Sequence, residues 1–193
     1  MIYIFTQRDP FFTDEFLREF DLFGIEYTII DMPNFRKGKY TGVKKAVQLY
    51  GIFGFAKLLN KFLFKYRKSK LFNNVRQLYG DAKTINEIFE NLDLNDVVLS
   101  LSAPERLPVE KCKKGILKIN FHCGRLPRYA GMMPIFWQMY YNEENVTITC
   151  HDLADEIDTG RVISEHVIPI EGTLFEVSQT AKRQSAHIFQ ELI

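Results

Sequence analysis

Ile2-Tyr3-Ile4-Phe5, Thr13-Asp14-Glu15-Phe16-Leu17, Phe20, Phe23-Gly24 and the run Ile25 to Ile30 decide the fold. Ile2 to Phe5 is a short apolar run rich in β-formers and reads as a strand. Thr13 reads as an N-cap, with Asp14 and Glu15 suited to the positive end of a helix dipole. Phe16, Leu17, Phe20 and Phe23 follow helical spacing, and Gly24 is a natural stop. Ile25 to Ile30 reads as a second strand. A β-α-β opening implies a parallel sheet covered by helices.

Signals farther along extend this pattern. Val43 to Tyr66 is helical in pattern, weakened by Gly51 and Gly54. Thr84-x-x-Glu87 reads as a capping box for a helix ending at Leu92. Asp96 to Leu101 and Gly115 to Phe121 read as buried strands, and Pro134 as the first residue of a helix reaching Tyr141. Val146 to His151 and Arg161 to Ile170 read as strands, and Thr173-x-x-Glu176 caps a last helix. The expected fold is one α/β domain over 1–193, a doubly wound, Rossmann-like, mostly parallel sheet with helices on both faces. A basic helical insert is expected at about 36–76. In such sheets ligands bind beyond the carboxyl ends of the strands.

Composition narrows the function classes. With 193 residues, 46% apolar and 25% charged, the chain can bury a core without staples. Its 17 Phe and 9 Tyr are too many large apolar groups for a chain that stays solvated. No run of eighteen apolar residues is present, so no transmembrane helix is expected. The first residues lack the basic region and cleavage site of a signal peptide. Three cysteines, Cys112, Cys123 and Cys150, fit no Cys-x-x-Cys pattern, and a cytoplasmic, reducing setting is expected.

The net charge of +1 hides an asymmetry. Between Asp31 and Asp81 there is no acidic residue and there are twelve basic ones, from Arg36 to Arg76. The remaining 13 basic residues stand against 24 acidic ones. One region is therefore expected to face an anion. Three readings of its aromatic, lysine-rich helix stay open: a cover with a solvated face, a site for a phosphorylated acceptor, or peripheral membrane contact through 43–66. Nucleic acid suits the charge, but no RNA-binding module is evident and that partner is not expected.

The usual phosphate motifs are missing. Thr6-Gln7-Arg8-Asp9-Pro10 follows the first strand where a G-x-G-x-x-G would stand, and there is no Walker loop. Two other stretches carry chemistry. The first runs Asn120-Phe121-His122-Cys123-Gly124-Arg125-Leu126-Pro127-Arg128-Tyr129-Ala130-Gly131. Asn120 and His122 share a strand face and form a carboxamide–imidazole pair able to hold an oxyanion. The second runs from His151 through Asp155 to Asp158-Thr159-Gly160. If the two strand ends are neighbours, Asp158 reaches His122. No metal is expected, because His122-Cys123 and Cys150-His151 are adjacent residues that point to opposite faces of a strand. Trp137 is read as core, and His151 as a structural neighbour.

Together these motifs resemble the N10-formyltetrahydrofolate-dependent formyltransferases, in which Asn-x-His precedes Ser-Leu-Leu-Pro, Tyr-x-Gly, a Pro near a Trp, and later a His and Asp-x-Gly. The matching positions are Asn120, His122, Leu126, Pro127, Tyr129, Gly131, Pro134, Trp137, His151, Asp158 and Gly160. The resemblance covers roughly Val97 onward; the first third matches only in topology. Gly124 stands where the family usually has Ser, Arg125 where it has Leu, and Thr147 where a Gly is common.

The resemblance implies an enzyme that moves a formyl group from N10-formyltetrahydrofolate, as co-substrate, to a small-molecule amine. Asn120, His122 and Asp158 are the implied catalytic residues. One well-placed oxyanion donor is worth about 3–4 kcal/mol, and acid–base help a factor of about 10²–10⁴ in rate. A carboxylate beside His122 is expected to raise its pKa. The pterin is implied to lie near backbone of Leu101, Ser102, Ala103, Pro104 and Leu107 and of the loop with Leu153 and Asp155. The expected acceptor is a phosphorylated one, an amino sugar on a nucleotide diphosphate used in polysaccharide biosynthesis. Hydrolysis of formyl-folate, other acceptors (methionyl-tRNA, glycinamide ribonucleotide), and a non-catalytic folate- or membrane-binding module are the alternatives. The sequence leaves the oligomeric state open.

Overall fold

Alternation of apolar side chains fixes the strands, and the computed structural model places seven of them in one sheet. It describes residues 1–7, 12–32 and 76–193. The strands are β1 (Ile2–Thr6), β2 (Tyr27–Asp31), β3 (Arg76–Tyr79), β4 (Val97–Leu101), β5 (Leu117–His122), β6 (Asn145–Asp152) and β7 (Val162–Pro169). The described helices are α1 (Thr13–Phe23), α2 (Ala82–Asn91), α3 (Pro134–Tyr140) and α4 (Leu174–Leu192). The order across the sheet is β3-β2-β1-β4-β5-β6-β7. The first five run parallel, whereas β6 and β7 are antiparallel to their neighbours. The expected fold class holds, and strand order reverses beside β1, where open α/β sheets carry their ligands.

The two sheet faces bury different cores. On one, Phe16 and Phe20 of α1 meet Phe189 of α4 and Phe121 of β5, with Phe16–Phe20 centroids 4.7 Å apart and Phe20–Phe189 5.1 Å. On the other, Phe5, Ile30 and Val98 pack against Ile85 and Phe89 of α2, with Leu107 and Ile116. Odd residues of β5 enter the aromatic core, so Asn120 and His122 face the opposite side.

Several boundaries differ from the sequence reading. Thr13 is the first residue of α1 rather than its cap; it is buried, with its hydroxyl 3.5 Å from that of Thr6. Gly24 ends α1 as expected, in the left-handed region at φ 68°. Asp81, not Thr84, caps α2, because its carboxylate accepts from the Thr84 N–H at 2.8 Å. The Thr173–Glu176 capping box forms as read. Strand β3 went unread because Arg76-Gln77-Leu78-Tyr79 is mostly exposed and has no apolar alternation. It begins at Arg76, where the basic insert was expected to end. The rest of that insert, and the helix read over 43–66, lie outside the described residues. Trp137 is 43% exposed, stacks on Tyr141 and meets Phe136 and Tyr140 edge-on, so it is not core. A seven-residue helix with only Ile135 and Gln138 turned inward cannot cover an indole.

Candidate active site

Asn120, His122 and Asp158 meet, though not by the route expected from sequence. Because β6 is antiparallel to β5, its end lies beside Ile119 rather than beside the exit of β5. The loop 153–160 instead folds back across the face that carries Asn120 and His122. Its neck is closed by Asp152 N–H to Arg161 carbonyl at 2.9 Å and by Arg161 Nε to Asp152 Oδ2 at 3.0 Å. Gly160 is required there, since a Cβ would lie 1.7 Å from the Asp152 carbonyl oxygen. Asp158 is held at φ 59°, a left-handed conformation costing of order 1 kcal/mol for a non-glycine residue. That cost is offset by a bond from the Gly131 N–H to Asp158 Oδ2 at 2.8 Å.

From Asp158 the contacts form a chain. Its Oδ2 lies 3.4 Å from His122 Nδ1, and its Oδ1 lies 3.7 Å from His151 Nε2. Asn120 Nδ2 is 3.0 Å from the same His151 nitrogen. Asn120 and His151 are register partners across β5 and β6, which explains how the sheet brings them together. His151 Nδ1 faces the Asp152 carbonyl at 2.9 Å and must donate to it. Its Nε2 then accepts, and the Asn120 amide is the donor. One Asn120 N–H is used in this way; the second belongs to a half-buried side chain. His151 thus does more than the neighbour role read from sequence: it orients Asn120.

His122 is anchored at Nε2. Nε2 lies 2.6 Å from the Tyr129 carbonyl, which can only accept, so this nitrogen carries the proton. The imidazole is buried, and that burial pulls its pKa below the ordinary histidine value; the Tyr129 carbonyl and Asp158 raise it by less. The expectation of a raised pKa is therefore corrected, because desolvation outweighs the carboxylate. At neutral pH the ring is uncharged, with its lone pair at Nδ1 directed to Asp158. Buried Cys150, beside His151, has its thiol pushed up to about 12 by desolvation, which leaves it inert as a nucleophile.

The residues expected near a pterin occupy two loops that touch. Arg106 Nη2 reaches Asp155 Oδ1 and Glu110 Oε2, each at 3.2 Å, joining the segment after β4 to the segment after β6. Leu107 is buried, and Ala103 and Leu153 pack against the same core. Their side chains therefore face inward. Pro104 is partly exposed there. Leu101 is fully buried and offers no side chain to the cleft. Ser102 is exposed at φ 56°, and its hydroxyl accepts from Lys182 Nζ at 3.2 Å. Lys182 and Arg106 were not singled out in the sequence. Among the described residues, no group of three His, Cys, Asp or Glu side chains is arranged to hold a metal ion. None of their helices is long and apolar enough to cross a membrane.

No family model matches the chain. Local sequence is shared with methionyl-tRNA formyltransferases: 41% identity over 54 residues with that of Azobacteroides pseudotrichonymphae, covering 28% of this chain and 17% of the relative. The enzyme of Streptococcus suis is 30% identical over 86 residues, covering 42% of this chain and 28% of the relative. The matched stretches thus span less than a third of those relatives. Solved structures share the fold across nearly the whole chain. A sugar 3N-formyl transferase, WlaRD, solved in the presence of dTDP and 5-N-formyl-THF, superposes with a TM-score of 0.61 at 20% identity, over 98% of this chain and 60% of that one. The phosphoribosylglycinamide formyltransferase of Streptococcus pneumoniae superposes at 0.58 and 15% identity, over 98% of this chain and 93% of that one.

Proposed function

The formyltransferase resemblance drawn from the sequence is matched by the fold and by local sequence identity, and from this premise we propose that the chain transfers a formyl group from N10-formyltetrahydrofolate to an amine. The observation that carries this reading is the convergence of Asn120, His122 and Asp158, supplied by two separate segments, on one face of β5. The folate supplies an acyl group of one carbon. Asn120, oriented by His151, directs its second N–H at the oxygen on which charge develops. Asp158 takes up the proton that the amine loses. His122 Nδ1, uncharged at neutral pH, accepts that proton in turn, and the positive ring is then stabilised by Asp158 and the Tyr129 carbonyl.

The acceptor class we favour is an amino sugar on a nucleotide diphosphate. The basic stretch between Asp31 and Asp81 suits phosphates. Lys182 adds a cation beside Ser102, and its charge is felt at His122. A soluble, cytoplasmic enzyme accords with this chemistry. Membrane contact through 43–66 finds no support among the described residues or the relatives.

Incubation of the protein with N10-formyltetrahydrofolate and a panel of amines (nucleotide-linked amino sugars, glycinamide ribonucleotide and methionyl-tRNA) tests both levels. Formylation of an amino sugar nucleotide supports the full reading. Preference for another amine overturns the acceptor class and keeps the reaction.

A further inference from the structure

Tyr129 joins two regions that are otherwise separate. Its carbonyl holds His122 Nε2 at 2.6 Å, while its ring points the other way and its hydroxyl donates to Glu143 Oε1 at 2.5 Å. Glu143 follows α3 and is also held by Arg128 Nη1 at 2.9 Å. The Arg128 guanidinium lies 5.0 Å from the centre of the Tyr129 ring. Burial and the Glu143 carboxylate push the Tyr129 phenol up from its ordinary value, so it remains a donor at physiological pH. A cleft of about 280 Å³ opens beside these groups, lined by Arg125, Arg128, Tyr129 and Glu143 among others.

Gly124 packs tightly within the loop that covers His122. A Cβ there would lie 2.6 Å from Pro134 Cβ, 2.9 Å from Tyr129 Cβ and 3.0 Å from His122 Nε2.

Resting on the proposed formyl-transfer reading, we infer that Tyr129 and Glu143 are positioning residues: Glu143 anchors the Tyr129 ring, and the Tyr129 carbonyl keeps the His122 proton on Nε2 and its lone pair on Nδ1, toward Asp158. Gly124 packs against Tyr129 and His122 within this brace. The groups that set the charge of His122 are then Asp158 from the loop after β6, His151 from β6, Lys182 from α4, and the Tyr129 carbonyl itself. Loss of the brace removes an acceptor that favours the protonated ring, so the His122 midpoint falls further.

Histidine-selective ¹⁵N NMR titration of the full chain, paired with pH–rate profiles, tests this in Tyr129→Phe, Glu143→Ala and Glu143→Gln. In the parent protein one imidazole should carry its proton on Nε2. Tyr129→Phe and Glu143→Ala should lower its midpoint, and the acid limb of kcat should move with it. kcat should drop by up to about 10²-fold, the scale of a displaced catalytic group, with KM nearly unchanged. Glu143→Gln keeps an acceptor for the phenol and should restore most of both. Folded variants whose His122 resonances and pH profile match the parent overturn the inference. The NMR arm needs no turnover, so an inactive parent protein sinks the formyl-transfer reading and leaves the brace to be judged alone.

Discussion

The two faces of β5 follow different rules. Phe121 points into the aromatic core, where Phe16 and Phe189 surround it at 6.4 and 6.3 Å between ring centres. Asn120 and His122, its immediate neighbours, point into a polar chain that runs through His151, Asp158 and the Tyr129 carbonyl. One face is held by area, which is non-directional and tolerant of small shifts. The other is held by hydrogen bonds, which fix direction and proton position. A single strand, through its two-residue period, keeps stability and chemistry apart by one residue.

Substitutions on each face should separate these roles. Asp158→Asn removes the carboxylate proposed to receive the proton, and kcat should fall by about 10²–10⁴ while the thermal midpoint changes little; the midpoint is read by calorimetry beside the assay. Asn120→Ala removes the proposed oxyanion donor, and kcat should fall about 10²–10³-fold, with folate binding by titration calorimetry retained. Phe121→Ala should do the reverse, costing about 3–5 kcal/mol in denaturant unfolding and leaving the shape of the pH–rate profile unchanged. If Phe121→Ala moved that profile, or Asp158→Asn destabilised the fold as strongly as Phe121→Ala, the division between faces would be wrong.

Acidity probes the same boundary more gently. The folded His122 pKa is depressed by burial, so the unfolded chain binds the proton first as pH falls. Its contribution to stability is whole above the ordinary histidine value and is lost as pH drops toward the folded value. Urea midpoints measured across that window should decline in the parent and flatten in His122→Gln. At the far end of the molecule, Thr173→Ala deletes one side of a capping box and should cost about 1 kcal/mol, without altering turnover.

Much of this was readable in advance. The β-α-β opening, the Thr173 capping box and the Asn-x-His strand exit are local patterns, so sequence order exposes them. Strand β3 was hidden because it lies exposed at the sheet edge, where no apolar alternation is required. Trp137 was misplaced because a short helix at the surface can carry aromatic residues that pack on one another. The proximity of Asp158 to His122 was legible, but not its path, since an antiparallel β6 sends the loop back over the sheet. The depressed His122 pKa depends on how completely the loop after β5 covers the ring, and that closure is set by Gly124, Tyr129 and Pro134 in three dimensions.

The most direct test compares product formation by the parent chain and by Asp158→Asn, with N10-formyltetrahydrofolate and nucleotide-linked amino sugars, followed by mass spectrometry of the amine. The parent should yield the N-formyl product and the variant almost none, with both proteins folded and both binding folate. Equal product from both proteins, or none from a parent that binds folate and is offered every amine class, would contradict the assignment of Asn120, His122 and Asp158 as a formyl-transfer site.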